Sequence, residues 1–265
     1  MRGTKLPENL IFLHSGEEIV RQKSVSLIEN DEALSRHICM IETIMDQLQF
    51  YRMNYAEADE EQLIVKLLGA RIFNAIGAAI KLILGGYYQA AGQQIRDILE
   101  TAFLLDYFST DQKLIQCWKI ATEQQRMKQF NLAKIREALD LRDGFTKKRR
   151  MEHYKLLSSI AGHPTFSGFT MLRPAPGADA HMGPFFVPDL LNATVQELVK
   201  VSISSWEQFK WFFKPETLPQ YQAVLRYLEA SFDWVEKTYK KPVDHRDIET
   251  IRAIVSSLDV EASSK

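Results

Sequence analysis

Arg96 and Glu100 are the first residues in this chain whose types and spacing suggest chemistry. They lie one turn apart on a helix predicted over residues 87–108, and at about 100° per residue Arg96 falls at the border of the apolar face. A guanidinium placed there loses solvation and needs acceptors, of which Glu100 is the nearest. Two interpretations follow: a structural ion pair, or an arginine at a cleft that grips phosphate or carboxylate.

His163 is held at a defined point by its neighbours. Gly162 permits a left-handed helix cap before it, and Pro164 restricts His163 to extended backbone. A fixed imidazole suits a general acid or base, although a histidine there also satisfies the last carbonyls of the helix. Ser158 falls on the same helix face as Tyr154, and its hydroxyl can bond backward along the helix.

One dense run of basic residues occurs in the chain: Lys147, Lys148, Arg149 and Arg150. Cations at a helix start oppose the macrodipole, so the run suggests a partner that bears phosphate, such as a nucleic acid. The simpler explanation is a solvated helix face.

Aromatic rings crowd a later segment that also contains Lys210 and Lys214. The rings are those of Trp206, Phe209, Trp211, Phe212 and Phe213. Such a set suits a base-stacking platform, but at helical spacing a core with a polar rim explains it better.

The residue patterns of common metal and nucleotide enzymes are missing. No glutamate has a histidine three residues later, and neither His-Glu-x-x-His nor a phosphate-binding glycine loop with its lysine is present. The sequence therefore predicts no metal site and no cofactor. Cys39 and Cys117 lie far apart and outside any Cys-x-x-Cys pattern, which is typical of a reducing cytoplasm.

Length and composition predict one folded domain, comprising residues 1–265. The chain has 265 residues, 46% of them hydrophobic, and a net charge of -1, which excludes the basic excess of a dedicated nucleic-acid coat. Residues 63–84 are the most apolar stretch, but charged residues interrupt it, so it fits a helix buried in protein better than a membrane span. We expect a cytoplasmic protein that does not contact a membrane.

Proline placement and periodicity predict an all-α, multi-helix bundle. No proline occurs between Pro7 and Pro164, which allows long helices throughout that tract. The helical core is expected over about 30–162 and 188–240, with a C-terminal helix over 244–258.

Capping patterns predict where several helices begin and end. Starts are expected at Ser15, with Glu18 as its capping-box partner, at residues 30–31, at Ser109 with Gln112, and at Thr217 with Gln220. Residues 111–142 are expected to form one or two helices, and a further helix is expected over 146–161.

Glycines predict a close helix contact and a long loop. Gly69 and Gly77, in the helix over 63–84, would let a neighbour approach closely, and the next helix in the chain is the expected neighbour. Residues 162–188 are rich in glycine and proline and are expected to form an inserted loop. Within that loop, residues 169–173 and 181–187 suit a short β-hairpin.

The residues of two segments, 88–107 and 154–164, resemble those of a broad group of bacterial and phage helical proteins. That group is similar to the HEPN superfamily of small helical domains that handle nucleotides or RNA, many of them in toxin and antiviral systems. The resemblance implies a helical bundle, frequently dimeric, with Arg96, Glu100 and His163 at the matching polar positions. The same segments contain Tyr88, Tyr154 and Ser158, which we take as candidate ligand-binding residues.

Three functions remain open. The first is a homo-oligomeric binding or regulatory module that takes RNA or a nucleotide, in phage defence or stress response. The second is a metal-independent ribonuclease or nucleotide-processing enzyme, in which Arg96 stabilises the phosphorane charge, His163 moves the proton of the 2′-hydroxyl and Glu100 orients Arg96. The third is a scaffold that docks a partner protein through the loop over 163–187.

Overall fold

Eleven α-helices account for most of residues 7–263, the part of the chain that the computed structural model describes. No β-strand occurs in those residues. In chain order the helices are α1 Glu8–Asn30, α2 Glu32–Asn54, α3 Glu60–Leu84, α4 Tyr88–Thr110, α5 Lys113–Ile120, α6 Glu123–Gln129, α7 Leu132–Arg142, α8 Arg149–Leu157, α9 Pro188–Lys210, α10 Leu218–Tyr239 and α11 Arg246–Ser263. The predicted all-α multi-helix bundle is therefore confirmed.

The hydrophobic core lies where α3 and α4 pack against α9, with α2 beside them. Along α4, the buried residues Ala91, Ile95 and Leu99 recur at helical spacing and face this core. Because α4 is surrounded by other helices, the polar side chains along it are positioned by packing on several sides.

Several helix ends lie where the sequence places them. The Asp31 carboxylate accepts hydrogen bonds from the backbone N–H groups of Ala33 and Leu34 and so begins α2. Thr217 and Gln220 form a capping box at the start of α10. The short polar side chains at these positions satisfy N–H groups that the first helical turn leaves unpaired.

Two predicted helix starts are wrong. Ser15 lies inside α1, where its hydroxyl donates a hydrogen bond to the Ile11 carbonyl at 2.9 Å. Ser109 lies inside α4 and donates to the Asp106 carbonyl at 2.7 Å. A serine in a helix interior can bond to the preceding turn, so the capping pattern does not by itself mark a start.

The segment over 111–142 forms three helices, where one or two were predicted. Thr122 and Asn131 each accept a hydrogen bond from a backbone N–H group at a helix start, and they begin α6 and α7. These caps divide the segment into α5, α6 and α7.

The two glycines of α3 face different helices from the predicted one, although α3 also packs extensively against α4. A methyl group on Gly69 would overlap the ring of Phe209, which belongs to α9. A methyl group on Gly77 would meet the Met45 side chain of α2 at 3.8 Å. The small residues of α3 therefore admit α9 and α2, and the prediction that they face α4 is wrong.

α3 is also the one helix within residues 7–263 that is long and apolar enough to cross a membrane by length and composition. Half of its most apolar window is buried inside the protein, as in the core helix of a bundle.

The glycine- and proline-rich loop is folded against α4, and the predicted β-hairpin is wrong. Residues Ser167–Leu172 form a 3-10 helix where the first strand was predicted, and residues Ser158–Gly162, which precede it, form a π-helix. Two side chains of α4 hold the loop: Gln89 donates to the carbonyl of Gly168, and the Tyr88 hydroxyl accepts from the Val187 N–H at 3.2 Å. One backbone hydrogen bond, from the His181 N–H to the Leu172 carbonyl at 2.8 Å, joins the two predicted strands, which is too few for a ladder.

A buried histidine gives the fold a specific pH dependence. The Trp234 indole N–H donates to His37 Nδ1 at 3.0 Å, and burial, followed by the nearby Arg36 and Lys200, lowers the His37 pKa. The unfolded chain therefore takes up this proton more readily, so the stability that neutral His37 contributes is lost as pH falls below about 6.5.

We expect His37→Gln, which keeps an acceptor but does not titrate, to show a smaller loss of unfolding free energy between neutral pH and pH 5. Urea unfolding followed by tryptophan fluorescence across this range measures the difference, because the other histidines contribute equally to both proteins. Equal pH slopes would show that His37 is not the titrating group.

Candidate functional site

Arg96 and Glu100 form the ion pair that their spacing predicts. Arg96 Nε lies 2.8 Å from Glu100 Oε1, and the two side chains are 21% and 28% exposed. The two atoms lie within ion-pair distance, but the Nε–H bond and the carboxylate are not aligned as a hydrogen bond requires, and neither buried atom has another partner among the described residues. Glu100 therefore balances the charge of Arg96 but leaves the Nε–H group unused.

Tyr154 brings a second helix to this pair. Its hydroxyl accepts a hydrogen bond from Arg96 Nη2 at 2.7 Å, across from α4 to α8. The Arg96 guanidinium carbon lies 5.1 Å from the centre of the Tyr154 ring. A guanidinium in this position gains a cation–π contact in addition to the hydrogen bond.

The π-helix that follows α8 makes room for Arg96. His163 N–H donates to the Ser158 carbonyl at 3.1 Å, five residues back, and a turn of this kind is frequent at functional sites. A methyl group on Gly162 would overlap the Arg96 guanidinium and lie 3.0 Å from its carbon. The absence of a side chain at Gly162 therefore lets Arg96 reach Tyr154.

Arg136 is the residue that sequence reasoning missed. It lies on α7, is 8% exposed, and places its guanidinium carbon 4.0 Å from the centre of the Tyr154 ring. Its Nε and Nη1 atoms are buried without a hydrogen-bond partner among the described residues. The ion pairs of α7 are formed by Arg142 and Asp140, and Arg136 takes part in none of them. The sequence does indicate that Arg136 is buried, because it shares a helical face with the apolar residues at positions 132, 135 and 139.

Ser158 lies one turn after Tyr154 and is 8% exposed. Its hydroxyl oxygen is buried and has no hydrogen-bond partner, so the predicted backward bond is absent. We call Arg96, Glu100, Arg136 and Tyr154 the arginine cluster, and Ser158 lies one helical turn from it. The cluster holds two guanidinium groups and one carboxylate.

A network of ion pairs fixes the helices that carry the cluster. Asp106 on α4 pairs with Arg142 of α7 at 2.7 Å, and Arg150 of α8 pairs with Asp140 at 2.8 Å and also with Asp143. Hydrogen bonds from Arg142 and then from Arg150 lower the pKa of Asp143 to about 2. The network therefore joins the same three helices that present Arg96, Arg136 and Tyr154.

The other predicted site residues lie apart from these contacts. The His163 side chain is exposed and forms no hydrogen bond or ion pair with any residue of the described part. Tyr88 is buried and its hydroxyl is engaged by Val187, so it anchors the loop.

The basic run is divided between two environments. Arg150 is 14% exposed and is paired with the carboxylates of the ion-pair network, whereas Lys147, Lys148 and Arg149 are exposed. Only those three remain open to a nucleic acid, and their binding remains a prediction. Within the described residues, no three His, Cys, Asp or Glu side chains are grouped as metal ligands would be.

Comparisons of this chain with protein-family models, with curated proteins and with solved structures found no match. The resemblance to the HEPN superfamily therefore stays a prediction, and the chemistry of the site is argued from its own geometry.

Proposed function

We propose that this protein is a non-catalytic binding module that takes the phosphate group of RNA or of a nucleotide at the arginine cluster. The observation that carries the proposal is the Arg136 guanidinium, whose Nε and Nη1 atoms are buried with no acceptor or carboxylate among the residues that the structure describes. A buried charge without an acceptor costs several kcal/mol, and the contact with the Tyr154 ring offsets only part of that cost. A bound anion would offset that cost.

The charge and donors of the cluster suit phosphate. Two guanidinium groups and one carboxylate leave a net positive charge of about one, since arginine stays protonated. Arg136 supplies unpaired N–H groups, and the Ser158 hydroxyl is a further buried donor without a partner. Guanidinium groups bind phosphate oxygens through short, charge-assisted hydrogen bonds.

The same contacts favour binding over cleavage. Arg96 already pairs with Glu100 and donates to Tyr154, which suits a fixed structural role. The exposed His163 has no partner to orient it, whereas a general base works best in a fixed position. Homodimer assembly, a cytoplasmic location and a role in phage defence or stress response remain predictions from the sequence.

Ribose 5-phosphate is the probe for this proposal, with ribose as the matched sugar without phosphate. We expect calorimetric titration of the wild-type protein to detect ribose 5-phosphate and not ribose. Arg136→Met removes the charged donors but keeps an apolar side chain of similar length, and should weaken binding about 10-fold to 100-fold, the value of one or two charge-assisted hydrogen bonds.

Arg126→Met is the control, because Arg126 is exposed on α6 and should be replaceable without effect. Equal binding by the wild-type and Arg136→Met proteins would contradict the proposal. Cleavage of an RNA pool in the presence of EDTA, lost in His163→Ala, would instead support the ribonuclease.

A further inference from the structure

A cavity lies at the C-terminal end of the aromatic run noted in the sequence, beside Trp211, Phe212 and Phe213. It has a volume of about 590 Å³ and lies among the end of α2, the starts of α3, α5 and α10, and the segment that follows α9. Pockets of this size hold small organic molecules.

One tryptophan of the run, Trp211, is exposed and lines this cavity. Phe209, Phe212 and Phe213 are buried, which agrees with a core, but Trp211 is 52% exposed and lines the cavity. The rings of Trp211 and Phe212 are perpendicular, with centroids 5.0 Å apart, so this contact covers at most one face of the indole and leaves the other for stacking.

Polar groups without partners line the same cavity. The hydroxyl of Tyr55, a residue only 8% exposed, is buried. The Tyr51 ring is stacked on the Tyr55 ring with centroids 4.3 Å apart, but no group among the described residues meets the Tyr55 hydroxyl in full hydrogen-bond geometry. Gln62 uses its carbonyl oxygen to accept from the Ala58 N–H at 2.9 Å, which leaves its amide N–H groups for another acceptor. Lys214 and Glu216 also line the cavity, so its wall carries one charge of each sign.

We propose that this cavity binds a planar heteroaromatic ring of nucleobase size, stacked on Trp211 and held at its polar edge by the Tyr55 hydroxyl and the Gln62 amide. An aromatic face with donors at its border matches such a ring, since every nucleobase combines a π face with an edge of hydrogen-bond acceptors. An aliphatic ligand would leave the Tyr55 hydroxyl buried and unpaired.

Adenosine tests the proposal without involving the arginine cluster, because it carries no phosphate. We expect adenosine to bind in calorimetric titrations and to quench tryptophan fluorescence, and ribose to do neither. Trp211→Ala should weaken adenosine binding about 5-fold to 150-fold, the value of one stacked base.

Tyr55→Phe keeps the ring and removes the unpaired hydroxyl. It should weaken adenosine binding while leaving the melting temperature at or above that of the wild-type protein, a pair of results that misfolding does not produce. Phe166→Ala, at an exposed aromatic residue outside the cavity, should change neither quantity. The inference is overturned if millimolar adenosine does not bind, or if Trp211→Ala and Tyr55→Phe both bind it as the wild-type protein does.

Discussion

Replacing Gly86 by alanine is expected to lower the free energy of unfolding by about 3 kcal/mol or more, since a strained backbone costs about 1–2 kcal/mol and an overpacked contact about 1–3 kcal/mol. Gly86 has φ of 79°, in the left-handed region that favours glycine. An added methyl group would overlap the backbone carbonyl of Phe185 and lie 2.8 Å from its nitrogen. Backbone atoms cannot move aside as a flexible side chain can, so the loop would be lifted from α4.

Gly144→Ala separates the cost of the backbone strain from the cost of the steric overlap. Gly144 also has positive φ, 67°, but no atom lies within 4 Å of the position that its methyl group would occupy. Its replacement should therefore cost only the backbone strain, about 1–2 kcal/mol. Denaturant unfolding of both variants measures the difference, and equal losses would mean that the loop does not pack against Gly86.

Asp106→Ala is expected to destabilise the protein by about 3 kcal/mol, since removal of one partner leaves buried charge uncompensated. The Asp106 side chain is 10% exposed and accepts hydrogen bonds from both Arg142 and Arg150. Loss of this carboxylate would loosen the joint between α4, α7 and α8. Binding of ribose 5-phosphate should weaken as well, because the arginine cluster lies on those helices.

Glu60→Ala is the matched control for Asp106→Ala. Glu60 also joins two helices, through Lys119, but the two side chains are 52% and 41% exposed. Exposed ion pairs contribute at most about 1 kcal/mol. If urea unfolding shows equal losses for the two variants, burial does not govern the strength of the Asp106 contacts.

Local rules predicted most of the helices. Asp31 and Thr217 form their capping hydrogen bonds with residues two or three positions later in the chain, so the sequence alone predicts these caps. Ser15 has the same local pattern, but α1 begins earlier and continues through it. The preceding turn of α1 accepts the hydrogen bond of the Ser15 hydroxyl, so this serine does not cap a helix. The π-helix over Ser158–Gly162 depends on close packing against Arg96, which no local pattern encodes.

The candidate site was predicted in part for a similar reason. Arg96 and Glu100 are one turn apart in the same helix, so their pairing followed from spacing. Arg136 comes from a different helix and reaches the cluster only through the ring of Tyr154. Its position on the apolar face of α7 predicts that Arg136 is buried. Whether an acceptor lies beside it depends on the packing of α4 and α8, which the sequence of α7 does not specify.

The stability of Arg136→Met with and without phosphate tests the central claim most directly. If Arg136 is an unpaired buried charge that awaits an anion, Arg136→Met should melt at a higher temperature than the wild-type protein in phosphate-free buffer. Added phosphate should then raise the melting temperature of the wild-type protein and leave that of Arg136→Met unchanged. An Arg136→Met protein that is less stable without phosphate, and equally stabilised by it, would contradict the account.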